Sequence, residues 1–132
     1  MSLVAEAQSP PTRAHILIVD DDDLTLKALA AWLSYEYEVV TAHDGIEGLE
    51  RAAELTPDVI ISDVWMPRLD GVEMVRHMKR IEGLRHVPVL FLTGQTSPAS
   101  VVAGISAGAR AYLSKPIDLD VLERKLRSAL AR

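Results

Sequence analysis

The sequence predicts an α/β fold: a five-stranded parallel sheet in the order 2-1-3-4-5 with helices on both faces. Three observations carry this expectation. Short β-branched or aliphatic runs alternate five times with segments of helical apolar spacing. Three runs, 16–19, 59–61 and 89–92, are apolar throughout, the mark of strands buried on both faces. The second run carries Glu38 and the fifth is short, which suits the two edges.

Residues 1–13 have no apolar periodicity, and Pro10-Pro11 punctuates them. They are expected to be a disordered tail or cloning remnant ahead of a domain spanning 14–132. Ile16-Leu17-Ile18-Val19 is the first strand. Leu26, Leu29, Ala30 and Leu33 then recur at helical spacing. The second strand is expected over 37–41. Asp44-Gly45 marks a turn into a helix with Ile46, Leu49 and Ala53 on one face. Val59-Ile60-Ile61 is the third strand. Asp70-Gly71 opens a third helix carrying Met74, Met78 and Ile81. Val89-Leu90-Phe91-Leu92 is the fourth strand, and 98–107 a weaker helix loosened by Gly94, Gly104 and Gly108. Ala111-Tyr112-Leu113 is the last strand. Leu119, Leu122, Leu126 and Leu130 line the last helix. With right-handed crossovers these elements make a flavodoxin-like (βα)5 three-layer sandwich.

A chain of 132 residues is enough for one domain with one sizeable core. A net charge of −5 argues against direct nucleic-acid binding, which needs a basic face. No apolar run approaches the length that crosses a bilayer, and the first residues do not read as a signal peptide. With no cysteine, thiolate chemistry is excluded and a cytoplasmic location is expected.

In such a sheet ligands bind beyond the carboxyl ends of the strands. The first strand ends in Asp20-Asp21-Asp22-Asp23, the third in Ser62-Asp63, the fourth in Thr93-Gly94 and the fifth in Ser114-Lys115-Pro116. The predicted order therefore gathers Asp20, Asp21, Asp63, Thr93 and Lys115 on one rim. Carboxylates so close need a compensating cation, and oxygen ligands without Cys or His select Mg²⁺ or Mn²⁺. Adding Lys115 and a Thr93 hydroxyl suits phosphoryl transfer to a nucleophilic Asp63. Each residue alone has a plainer reading: turn or cap for the acids, strand end for Thr93, surface for Lys115. Asp23 is expected to cap the first helix, with Asp22 left between cap and ligand. Asp44, Asp70 and Asp118 read as caps, the four histidines as scattered surface or half-buried residues, and Met66 as packing.

These motifs resemble the receiver domain family of two-component response regulators. The acidic-pair strand at 16–21, the segment from Pro57 to Gly71 around Asp63, the strand ending at Thr93, and Ala111-Tyr112-Leu113-Ser114-Lys115-Pro116 carry the likeness. The resemblance implies that Asp63 accepts a phosphoryl group from a histidine kinase or histidine phosphotransfer protein. Asp20, Asp21, Asp63 and the Trp65 carbonyl would hold Mg²⁺, and Thr93 and Lys115 would hold phosphoryl oxygens. Thr93 and Tyr112 would switch the face made by helix 4, strand 5 and helix 5. A downstream effector or fused output domain would read that face, and homodimerisation through it stays open. Such a domain assists its own phosphorylation and dephosphorylation rather than acting as an enzyme, and Lys115-Pro116 would often be cis. Trp65 and Gln95 are expected to tune hydrolysis of the acyl phosphate. Three rivals stand beside this reading. A haloacid-dehalogenase-like phosphohydrolase would use Asp20-x-Asp22. A degenerate receiver would only bind proteins. A flavodoxin-like cofactor binder lacks a phosphate loop after the first strand.

Overall fold

The structure, a computed structural model, describes residues 13–94 and 98–131. The expected tail, apart from Arg13, and Gln95 lie outside the described residues. The elements run β1 (His15–Val19), α1 (Asp23–Leu33), β2 (Glu38–Ala42), α2 (Gly45–Leu55), β3 (Val59–Ser62), α3 (Gly71–Lys79), β4 (Val89–Thr93), α4 (Pro98–Ala107), β5 (Ala111–Ser114) and α5 (Leu119–Leu130). All strand pairs are parallel and the order is β2-β1-β3-β4-β5, as the sequence predicted.

The central strands bury both faces because helices cover both. Ile16, Ile18, Ile61, Leu90 and Leu92 pack with Leu26, Leu29 and Leu33 of α1 and with Leu122 and Leu126 of α5. On the other face Leu17, Val19, Ile60, Val89 and Phe91 pack with Ala52 of α2 and with Met74, Val75 and Met78 of α3. Alternate residues along a strand point oppositely, so an all-apolar run is what this sandwich demands.

Three local expectations are corrected. Asp22, not Asp23, is the N-cap of α1: its backbone is extended, and its side chain accepts from the Leu24 N–H and the Thr25 hydroxyl. The buried face of α2 is Gly45, Gly48 and Ala52, while Ala53 is exposed. Gly48 lets α2 approach Val19 and Met74 closely and Gly45 lies against Leu69, while Leu49 packs on the same core only partly buried. Helix α3 stops at Lys79, so Ile81 lies beyond it and is exposed. Gly104 is buried in α4, where a Cβ would press on the rings of Phe91 and Tyr112 at 3.1–3.2 Å. Its small size is therefore also a packing requirement. Asp44, Asp70 and Asp118 do cap α2, α3 and α5.

Candidate functional site

Strand register builds the site. Val19 at the end of β1 pairs with Ser62 at the end of β3, so the following Asp20 and Asp63 stand side by side. The Asp63 N–H donates to the Val19 carbonyl at 2.8 Å, carrying the ladder one step past the strands. Across the sheet Thr93 pairs with Ser114, and the Lys115 N–H donates to the Thr93 carbonyl at 3.0 Å. Lys115 thus leaves β5 on the same rim, and its bond to Pro116 is cis.

The side chains converge there. Lys115 Nζ lies 3.0 Å from Asp20 Oδ2 and 3.3 Å from Asp63 Oδ2. The other Asp20 oxygen accepts the Asp22 N–H at 2.9 Å, and the other Asp63 oxygen accepts the Val64 N–H at 2.7 Å. Asp20, Asp21 and Asp63 each offer an oxygen within 4.8 Å of the other two. Asp20 is buried, Asp63 half-buried and Asp21 exposed. Burial pushes the Asp20 carboxyl above its ordinary value, although the Asp22 N–H and Lys115 pull the other way. Burial alone would lower Lys115, but the hydrogen bonds and charges of Asp20 and Asp63 outweigh it and hold its pKa up. Three carboxylates against one ammonium leave the rim short of positive charge, and oxygen donors without His or Cys fit a hard divalent ion.

Thr93 is buried at the end of β4. Tyr112 is half-buried with its ring edge-on to Phe91, centroids 6.0 Å apart. Trp65 is 53% exposed beside the rim, and Met66 packs against the α2–α3 side of the core. A Cβ at Gly71 would overlap the Asp63 carbonyl oxygen, so the start of α3 approaches the acid as closely as a backbone can. Asp22, the second acid of the rival phosphohydrolase motif, turns back onto its own helix.

Sequence reasoning missed two residues near this rim. His43 places one ring nitrogen 3.1 Å from Asp23 and the other 3.2 Å from Glu47. Arg68 forks onto Asp44 through two bonds of 2.9 and 3.0 Å. His43–Glu47 has (i, i+4) spacing, but His43–Asp23 and Arg68–Asp44 join distant loops, so no periodicity announces them.

A doubly wound sheet with a carboxylate–lysine rim at its switch point defines the class. The response regulator receiver domain matches residues 16–127, and the chain belongs to that family of two-component signalling proteins. It is 43% identical over 119 residues to response regulator MprA of Mycobacterium ulcerans, a match covering 89% of this chain and 50% of the relative. The Mycobacterium tuberculosis H37Rv MprA is 42% identical, with 89% and 51% covered. The chain thus spans about half the length of the named relatives it matches. The chemotaxis protein CheY4 of Vibrio cholerae superposes with a TM-score of 0.84 at 36% identity, covering 90% of this chain and all of that one. A putative response regulator from Chloroflexus aurantiacus gives 0.86 at 34% identity, covering 92% and 100%. Among the described residues no helix is long and apolar enough to cross a membrane.

Proposed function

We propose that residues 14–132 form a receiver unit that takes a phosphoryl group onto Asp63 from a phosphohistidine on a histidine kinase or histidine phosphotransfer protein. The observation that carries this is the gathering of Asp20, Asp21 and Asp63 oxygens within 4.8 Å of one another, with the Lys115 ammonium on Asp20 and Asp63.

An Asp63 carboxylate oxygen attacks phosphorus. The new O–P bond forms as the P–N bond to the donor imidazole breaks, and the electron pair returns to that nitrogen. Asp63 is oriented by the Val64 N–H and stays accessible at the rim. Lys115 reaches Asp63 already and can follow a phosphoryl oxygen placed on it. Thr93 supplies a hydroxyl from the adjacent strand end. Asp20, Asp21, Asp63 and the Trp65 carbonyl would hold Mg²⁺, with Mn²⁺ as a substitute. That ion would neutralise charge on the transferring group.

Thr93 and Tyr112 form the switch. Movement of Thr93 toward the phosphoryl group frees space for the Tyr112 ring and remodels the face of α4, β5 and α5. An effector protein or fused output domain reads that face, and a homodimer through it is one form the output can take. Trp65 shields the acyl phosphate from water. The site works in the cytoplasm, and its own phosphorylation and hydrolysis are the only reactions it assists.

The test is intact-mass measurement after incubation with acetyl phosphate and Mg²⁺, with Asp63→Asn in parallel. One phosphoryl adduct on the wild type, lost without Mg²⁺ and lost in the variant, is expected. No adduct together with no binding of beryllofluoride would leave a protein-binding module without phosphorylation.

A further inference from the structure

The start of α1, directly after one acid-bearing loop, and the loop that follows Asp63 are both tied to the short β2–α2 connection. The β2–α2 connection consists of His43 and Asp44. His43 bridges to Asp23, directly after the β1–α1 acids, at 3.1 Å. Asp44 bridges to Arg68, in the loop between Asp63 and Asp70. The same Asp44 carboxylate caps α2 by accepting the Glu47 N–H at 2.9 Å, so one side chain fastens both a helix and a loop.

The Arg68 side of this tie is built at a cost. Arg68 has φ 68°, the left-handed region that a side chain other than glycine disfavours by about 1–2 kcal/mol. The neighbouring contact is tight: the Gly45 N–H donates to the Leu69 carbonyl at 3.1 Å, and a Cβ on Gly45 would overlap that oxygen. The ion pair itself is exposed on the Arg68 side, at 60%, where such pairs contribute little stability. A strained arginine in a weak surface pair is poor as a stabilising device. It makes sense as a geometric one, because a bidentate fork fixes orientation as well as distance.

What it orients is the loop that starts at Asp63. The Val64 N–H donates to the Asp63 carboxylate, and the Val64 carbonyl accepts the Gly71 N–H at 2.7 Å. Between those anchors, 65–70 has the Arg68 fork, the Gly45–Leu69 bond and a Leu69–Pro67 turn to hold it. We propose that the Asp44–Arg68 fork is a positioning pair that braces the 64–70 loop against α2. It would set the alignment of the Asp63 carboxylate and the Trp65 carbonyl for the divalent ion. This rests on the metal-dependent reading above.

The experiment is Mg²⁺ titration of the full chain by tryptophan fluorescence and calorimetry. It compares wild type, Arg68→Gly, Asp44→Ser and the double variant, with thermal melts of each. Glycine relieves the left-handed strain and serine keeps a capping oxygen, so both variants should fold with melting temperatures near that of the wild type. The half-saturating Mg²⁺ concentration should rise about tenfold in each, the range for groups that orient metal ligands. The double variant should be no worse than either single one, because one fork is lost in all three. Arg68→Lys, with a point charge in place of the fork, should recover only part. Unchanged Mg²⁺ affinity in Arg68→Gly and Asp44→Ser, or additive losses in the double variant, would overturn the brace alone. Wild-type protein that binds no Mg²⁺ would overturn the metal-dependent function and the brace with it.

Discussion

Replacing Lys115 with methionine tests the electrostatics of the rim without reference to any partner. At an effective dielectric of about 20, unit charges at the observed 3.0 and 3.3 Å attract by about 5 kcal/mol each. Drawing the ammonium out of water and pressing Asp20 against Asp63 offset much of this. Removing one member of a buried charge group typically costs about 3–5 kcal/mol. Lys115 keeps 26% exposure, so water partly fills the gap and about 2–3 kcal/mol is expected. For a domain of this size that lowers Tm by roughly 6–15 °C. The assay is calorimetric or circular-dichroism melting at neutral pH and low salt, with and without Mg²⁺. A divalent ion supplies the charge the variant lacks, so Mg²⁺ should raise the Tm of Lys115→Met more than that of the wild type. A variant that melts within about 2 °C of wild type, or gains no more from Mg²⁺, would refute the claim that Lys115 holds the acids together in the metal-free protein.

Asp20→Asn should stabilise the metal-free protein at neutral pH while weakening Mg²⁺ binding. Burial already disfavours the Asp20 charge more than its partners favour it, and an amide avoids that cost. A lower Tm for the variant in chelator would contradict this. His43 gives a pH test. Its pKa is raised from the ordinary 6.5, first by the hydrogen bond to Glu47 and further by the charges of Glu47 and Asp23. Both ring nitrogens face carboxylates, the arrangement that suits the doubly protonated ring. Lys27 lines the same hollow and Arg51 reaches Glu47 from the other side. A raised folded-state pKa gives stability that is complete below the unfolded value and lost as pH rises through the folded one. His43→Gln should therefore cost less than about 1 kcal/mol near pH 6, the ceiling for so exposed a pair, and almost nothing well above the folded pKa. Parallel plots of Tm against pH for the two proteins would refute it.

How much of this was legible beforehand depended on how far each signal extends along the chain. The sheet order was readable because Ile16 to Val19, Val59 to Ile61 and Val89 to Leu92 carry their burial in composition, and Glu38 marks an edge. The rim was readable because the sheet turns four separate strand ends into one place. None of Asp20, Asp63, Thr93 or Lys115 is distinctive alone, but the topology leaves their convergence little freedom. The α1 cap was misplaced by one because four consecutive aspartates offer the backbone four similar caps. Only the extended backbone at Asp22 decides among them. The α2 face was misread because burial there follows closeness of approach at Gly45 and Gly48 rather than side-chain size.

The Asp44–Arg68 and His43–Asp23 pairs were illegible for another reason. They join residues 24 and 20 positions apart between loops, where no period exists to be broken. Local preference even argues against one of them, since an arginine at φ 68° contradicts its own backbone tendency. Local preference is overridden elsewhere too, as at the left-handed Thr56 that closes α2, but this rim holds three such residues: a buried carboxylate at Asp20, an ammonium drawn inward at Lys115 and a left-handed arginine at 68. A buried carboxylate held against an inward-drawn ammonium, more than any single acid, separates this rim from an ordinary acidic turn.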